Sequence, residues 1–118
     1  MQTVIKYVGR WETTWGSLAG SSDGVGGSSS KMASKSAAEH AAVKDCESRG
    51  GSGCEPFLTY YNQCVAVANT LDGSRSASQN ADEVSSAKKL ALQRCEKENS
   101  VACEIVFTDC SKPIYHAN

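Results

Sequence analysis

Ser36-Ala-Ala-Glu-His-Ala-Ala-Val-Lys-Asp-Cys46, followed by Cys54, and Ser85-Ser-Ala-Lys-Lys-Leu-Ala-Leu-Gln-Arg-Cys95, followed by Cys103, are two versions of one segment. In each, a small residue returns every fourth position: Ala38, Ala42 and Cys46, then Ala87, Ala91 and Cys95. That spacing puts them on one helical face, and alanine lets such a face sit close to a sheet. Leu90 joins the second face, with Leu92 alongside. Ser36 with Glu39 makes a capping box for a first helix that starts at Ser34 or Ser36, and Gly50-Gly51 supplies its left-handed stop. The second helix is expected from Asp82 or Ser85 to about Lys97.

Working outward, the same offset of 49 positions relates Leu18-Ala19 to Val67-Ala68 and Asp23-Gly24 to Asp72-Gly73. Runs 15–22, 26–32, 54–61, 64–70 and 101–108 read as strands by their β-branched, aromatic and alternating content. Asp23-Gly24 turns the chain between the first two. The unit is strand, hairpin, strand, helix, strand, written twice over 15–64 and 64–110. After Cys54 the register is expected to slip by three, matching Cys64 with Cys110. The predicted fold is α+β: one antiparallel sheet of about six strands, both helices on one face, built by internal duplication and stapled by disulfides. Residues 1–14, with Val4, Ile5, Tyr7 and Val8, form an N-terminal arm or edge strand, and 111–118 a polar tail.

Six cysteines in 118 residues point to a disulfide framework and an oxidising compartment. Zinc sites place cysteines two to four apart, often near histidine; here the gaps are longer and His40 and His116 neighbour no cysteine, so no metal is predicted. Equivalent cysteines in a duplicated fold should do equivalent jobs. That predicts Cys46–Cys54 and Cys95–Cys103 as clips from helix end to following strand, and leaves Cys64–Cys110 to join the halves. Met1 to Arg10 is too short and polar for a signal peptide, so Met1 reads as a start added to a mature periplasmic or secreted protein.

Twelve basic against thirteen acidic residues give a net charge of −1, which offers no field for nucleic acid. No apolar run is long enough to span a bilayer. Asp23-Gly-Val-Gly-Gly27 lacks the Lys-Ser/Thr of a phosphate loop and reads as a hairpin. Ser28 with Lys31, and Ser85 with Lys88, match a serine–lysine nucleophile spacing, but the partner motifs are missing. Asp45 and Glu47 read as solvated acids, and His40 as a solvated helix residue. Cys46 and Cys95 fall at helix C-termini, where the dipole disfavours a thiolate. No catalytic residue and no cofactor are predicted.

Trp15-Gly-Ser-Leu-Ala, the Ser36–Cys46 segment, Gly53-Cys54 and Asn62-Gln-Cys64-Val-Ala-Val-Ala, with Ala87 to Cys95 and Cys103 repeating the pattern, resemble the bacterial domain-of-unknown-function family 4189 over about 15–110. The resemblance implies a small exported bacterial protein and carries no activity with it. Asn62-Gln63 stands where that family often has Asn-Gly.

The expected function is non-enzymatic binding outside the cytoplasm, with another protein as partner, such as a secreted toxin or hydrolase held by an inhibitor or immunity-type protein. An envelope-associated structural role is the alternative, and a serine hydrolase a weaker one. The least repeated segments supply the candidate surface: Trp11, Asp23, Tyr60 and Tyr61, with one of the two tyrosines facing inward.

Overall fold

A computed structural model describes residues 9–117. Val4, Ile5, Tyr7 and Val8 of the expected arm lie outside the described residues. The order is β1 (Gly9–Glu12), β2 (Trp15–Gly20), β3 (Gly26–Met32), α1 (Lys35–Ser48), β4 (Glu55–Tyr61), β5 (Gln63–Thr70), β6 (Ser76–Ala81), α2 (Val84–Asn99), β7 (Cys103–Ser111) and β8 (Ile114–Ala117). The fold is α+β with antiparallel strands, two helices and three disulfides. The strands form not one sheet but two of three strands, ordered β3-β2-β4 and β6-β5-β7, with β1 and β8 in a separate ribbon. The stretch expected to be a polar tail thus supplies β8.

The helices do not share a face, and the cause is the apolar pattern of the central strands. On β2, Ala19 packs on Ala42 and Cys46 of α1, while Leu18 points the other way. On β5, Ala66 and Ala68 pack on Ala87, Ala91 and Cys95 of α2, while Val65 and Val67 point away. Both faces of each central strand are therefore apolar, small toward the helix and large away from it. The large faces meet: Leu18, Tyr60 and Val65 are buried together, with Leu58, Val67 and Phe107 against them. The layers run helix, sheet, sheet, helix. A single sheet would have left Leu18, Tyr60 and Val65 in water.

The helix faces are as narrow as the alanines suggest: Ala38, Ala42 and Cys46 are the buried residues of α1, and Ala87, Ala91 and Cys95 those of α2. A side-chain atom added at Gly27 would lie 2.3 Å from the Cys46 backbone nitrogen and 2.4 Å from the Ala42 oxygen, so α1 rests directly on β3. Leu90, expected inside, is exposed. Ser34, not Ser36, caps α1, its hydroxyl accepting from the Ala37 N–H at 3.1 Å. Glu39 is turned to the sheet instead and accepts from the Thr59 hydroxyl at 2.8 Å. The disulfides are Cys46–Cys54, Cys95–Cys103 and Cys64–Cys110; the last, expected to join the halves, instead ties β5 to β7 within the second sheet.

The register does not slip after Cys54. Trp15 pairs with Tyr61 in the first sheet, and Cys64 pairs with Cys110 in the second. The counterpart of Cys110 is therefore Tyr61, still 49 positions earlier, and the counterpart of the third disulfide is the Trp15–Tyr61 ring pair, with centroids 4.8 Å apart.

Candidate functional site

The two sheets are tied at one end and open at the other. At the tied end the Thr14 hydroxyl meets the Ser111 hydroxyl at 2.6 Å and donates to the Lys112 carbonyl at 2.8 Å, and the Lys31 N–H donates to the Ser111 oxygen at 3.0 Å. Thr14 and Ser111 are buried. Asn62 accepts from the Thr14 N–H and returns its own N–H to the Thr14 carbonyl. The bonds to Ser111 and Lys112 join β3 and the β1–β2 connection to the end of β7 in the other half, so they fix the angle between the sheets.

At the open end, beyond Leu18 and Val67, lies a cleft of about 950 Å³. Its floor continues the inter-sheet core through Leu18, Leu58, Val67 and Phe107. Phe57 and Val106 project at its sides, 59% and 48% exposed. Both are the extra residue of a β-bulge: Leu18 pairs with Leu58 and Ala19 with Pro56, skipping Phe57, and Val67 pairs with Phe107 and Ala68 with Ile105, skipping Val106. A bulge re-aims a side chain that regular pairing would direct elsewhere. The Phe57 ring lies over Gly20, where a side chain would sit 3.4 Å from it.

The rim is polar. Arg49 pairs with Asp45 at 3.2 Å, and Asp45 also accepts from the Ser28 N–H at 2.9 Å. Across the cleft, Arg94 pairs with Glu98 at 2.8 Å and donates to the Ser78 carbonyl at 3.3 Å. Arg75 and Glu55 also line it, with no ion-pair partner among the described residues. The hairpin tips line its outer end. Asp23 accepts from the Ser21 hydroxyl, which holds its carboxyl below the usual range. Asp72 accepts from the Thr70 hydroxyl at 2.7 Å and from the N–H and hydroxyl of Ser74, which lower its pKa to about 2.

The four residues singled out in the sequence do not form one patch. Tyr60 is buried, its ring over Gly16 and its hydroxyl without a hydrogen-bond partner among the described residues; burial first, and the Asp109 carboxylate second, push its pKa up. Tyr61 is half exposed beside Trp15, at the end of β2 opposite Asp23. Trp11 stands on the β1–β8 ribbon, 67% exposed, with its ring centroid 5.0 Å from that of Tyr115. Phe57, Val106 and Arg75 went unnoticed in the sequence. The signal for the first two was present, since Phe57 and Val106 are also 49 apart. Ser85 and Lys88 lie exposed on the first turn of α2, and no group of three or more potential metal ligands is gathered among the described residues. Among the described residues no helix is long and apolar enough to cross a membrane.

Duplicated β-β-α-β units, each clipped by a disulfide and packed sheet to sheet, define a class of small cystine-stapled α+β protein. Within that class the chain belongs to the family described as a domain of unknown function (DUF4189), whose profile matches residues 15–110. No curated protein and no solved structure matches it.

Proposed function

We propose that this protein is a non-enzymatic binding module of an oxidising compartment, periplasmic or extracellular, that engages another protein through the open cleft. The observation that carries this reading is the pair of bulges that turn Phe57 and Val106 outward beside the cleft, at equivalent positions of the two halves. Phe57 and Val106 stand beside an apolar floor, and apolar side chains ringed by polar groups are the usual anatomy of an interface core. Three disulfides and the Thr14–Ser111 seam hold both walls still, which lowers the ordering cost of binding. Three disulfides also suit a compartment that keeps cystines oxidised. An inhibitor or immunity-type partner of a secreted hydrolase or toxin fits such a rigid surface. The test is retention of periplasmic and culture-supernatant proteins of the source cell on the immobilised, oxidised protein. The Phe57→Ser/Val106→Ser variant should lose the retained protein while keeping the far-ultraviolet spectrum. Retention that survives the double substitution rejects the cleft as the site, and hydrolysis of an ester, peptide or glycan substrate by the pure protein rejects the non-enzymatic reading.

A further inference from the structure

The β1–β8 ribbon carries an interaction surface of its own, apart from the cleft. Its strands are four residues each, paired from Gly9 opposite Ala117 to Glu12 opposite Ile114. A ribbon of two short strands is marginal in water without a third strand or a packed face. Yet Trp11 and Tyr115, in tilted contact on one face of it, are 67% and 44% exposed.

The other sheet edges are blunted in ways that oppose strand addition. β3 is broken by a bulge before Met32, where Lys31 takes a left-handed backbone with φ 59°. β4 carries Pro56 and the Phe57 bulge, and β7 the Val106 bulge. The outer side of β6 is capped by Arg94, which donates to the Ser78 carbonyl. β1 has none of these devices and, among the described residues, no strand on its second side.

The side chains of β1 say what would pair there. Arg10 and Glu12 flank Trp11 on the same strand, with their side chains 69% and 39% exposed. We infer that β1 pairs with β1 of a second copy of this chain, antiparallel, with the two-fold axis at Trp11. In that register Arg10 of each copy faces Glu12 of the other, and the two Trp11 rings become cross-strand neighbours. Antiparallel edge pairing joins the two ribbons into one four-stranded sheet with an aromatic stripe along one face. The β8 edge, Ile114-Tyr-His-Ala117, has no opposite charges about a central residue and is not self-complementary in this way.

Sedimentation equilibrium on the full chain tests this. The wild type should form a concentration-dependent species of twice the 12.5 kDa chain mass. Arg10→Glu puts two carboxylates opposite each other twice over, and Glu12→Arg does the same with two cations. Each single variant should lose at least about tenfold in self-association. Mixing the two variants should restore a dimer, now heteromeric, because the acidic edge faces the basic one. This recovery cannot come from relief within either chain, since each variant still carries its own like-charged pair. The variant with both changes, Arg10→Glu/Glu12→Arg, should dimerise as the wild type does. A wild type that stays monomeric overturns the inference. So does a dimer indifferent to the single changes, or single variants that fail to recover on mixing.

Discussion

The two halves solve the same packing problem with different parts. In the first, the paired position that closes β2 onto β4 is the tilted ring pair of Trp15 and Tyr61; in the second, the position that closes β5 onto β7 is Cys64–Cys110. In the first, Gly27 lets α1 touch the sheet backbone; in the second, Ala77 occupies that place and is buried. The odd residue also moves. The Ser21 N–H bonds to the carbonyl of Val25, whereas the Thr70 N–H reaches Arg75, so the second turn is one residue longer. The first half recovers that residue as the bulge before Met32, which aims the Lys31 N–H at Ser111. A duplicated fold thus tolerates exchange of a covalent for an aromatic closure, while its asymmetry is concentrated at the seam that sets the cleft.

If the closures are not equal in strength, removing them separates the halves. On the chain-entropy argument, the Cys64–Cys110 link, with its sequence separation of 46, contributes about 4 kcal/mol. Each clip, with a separation of 8, contributes about 2.5 kcal/mol. Denaturant unfolding of Cys64→Ala/Cys110→Ala should show the larger loss and Cys46→Ala/Cys54→Ala the smaller. Equal losses would mean that strain or residual structure, not loop length, governs the staples.

The helix contact offers a second cut. Gly27→Ala pushes a methyl group into the backbone of α1 and should destabilise by about 3 kcal/mol, an overpacking cost with nowhere to relax. Ala77→Gly at the matching place of the second half should cost about 1 kcal/mol, from strand entropy and a lost methyl contact. Similar losses at the two sites would show that the helices sit equally close.

How far the residues foretold this arrangement depends on the range of the interaction. The helices, hairpins and clips rest on local spacing: alanine every fourth position, Asp-Gly at a turn, cysteine eight positions past a helix end. The layering was legible too, but misread. Leu18-Ala19 and Val67-Ala68 alternate large and small, which marks a strand apolar on both faces, and such a strand needs cover on both sides. The bulges at Phe57 and Val106 leave no local signature. They arise only when β4 and β7 are laid against β2 and β5, as does the replacement of a disulfide by Trp15 and Tyr61. The capping box at Ser36 failed because Glu39 found Thr59, a partner 20 residues away.

Tyr60 and its counterpart Asp109 sharpen the comparison at a smaller scale. The Tyr60 hydroxyl is buried without a partner among the described residues, and its ring covers Gly16 in the manner of an aromatic filling a glycine gap. Tyr60→Phe keeps the ring and removes an unpaired polar atom, so it should stabilise by about 1 kcal/mol in thermal or denaturant unfolding. A loss of that size would place a hydrogen-bonding water at the hydroxyl and make the seam between the halves wetter than its side chains imply.

The hairpin tips differ least, and in a way that pH can read. Asp72 holds the Thr70 hydroxyl and both donors of Ser74, whereas Asp23 holds the Ser21 hydroxyl. The folded-state pKa of Asp72, about 2, lies below its ordinary 3.8. A carboxyl depressed on folding contributes stability that is fully present above the ordinary value and is lost as pH falls through the folded one. The Asp72 contribution should therefore fade between pH 4 and pH 2, and Asp72→Asn should flatten the stability profile in that window while leaving it unchanged in slope above pH 5. A carboxyl carbon titration that places the Asp72 midpoint near 4 would mean that water has replaced the Thr70 and Ser74 donors. The longer turn would then be held no more tightly than the shorter one.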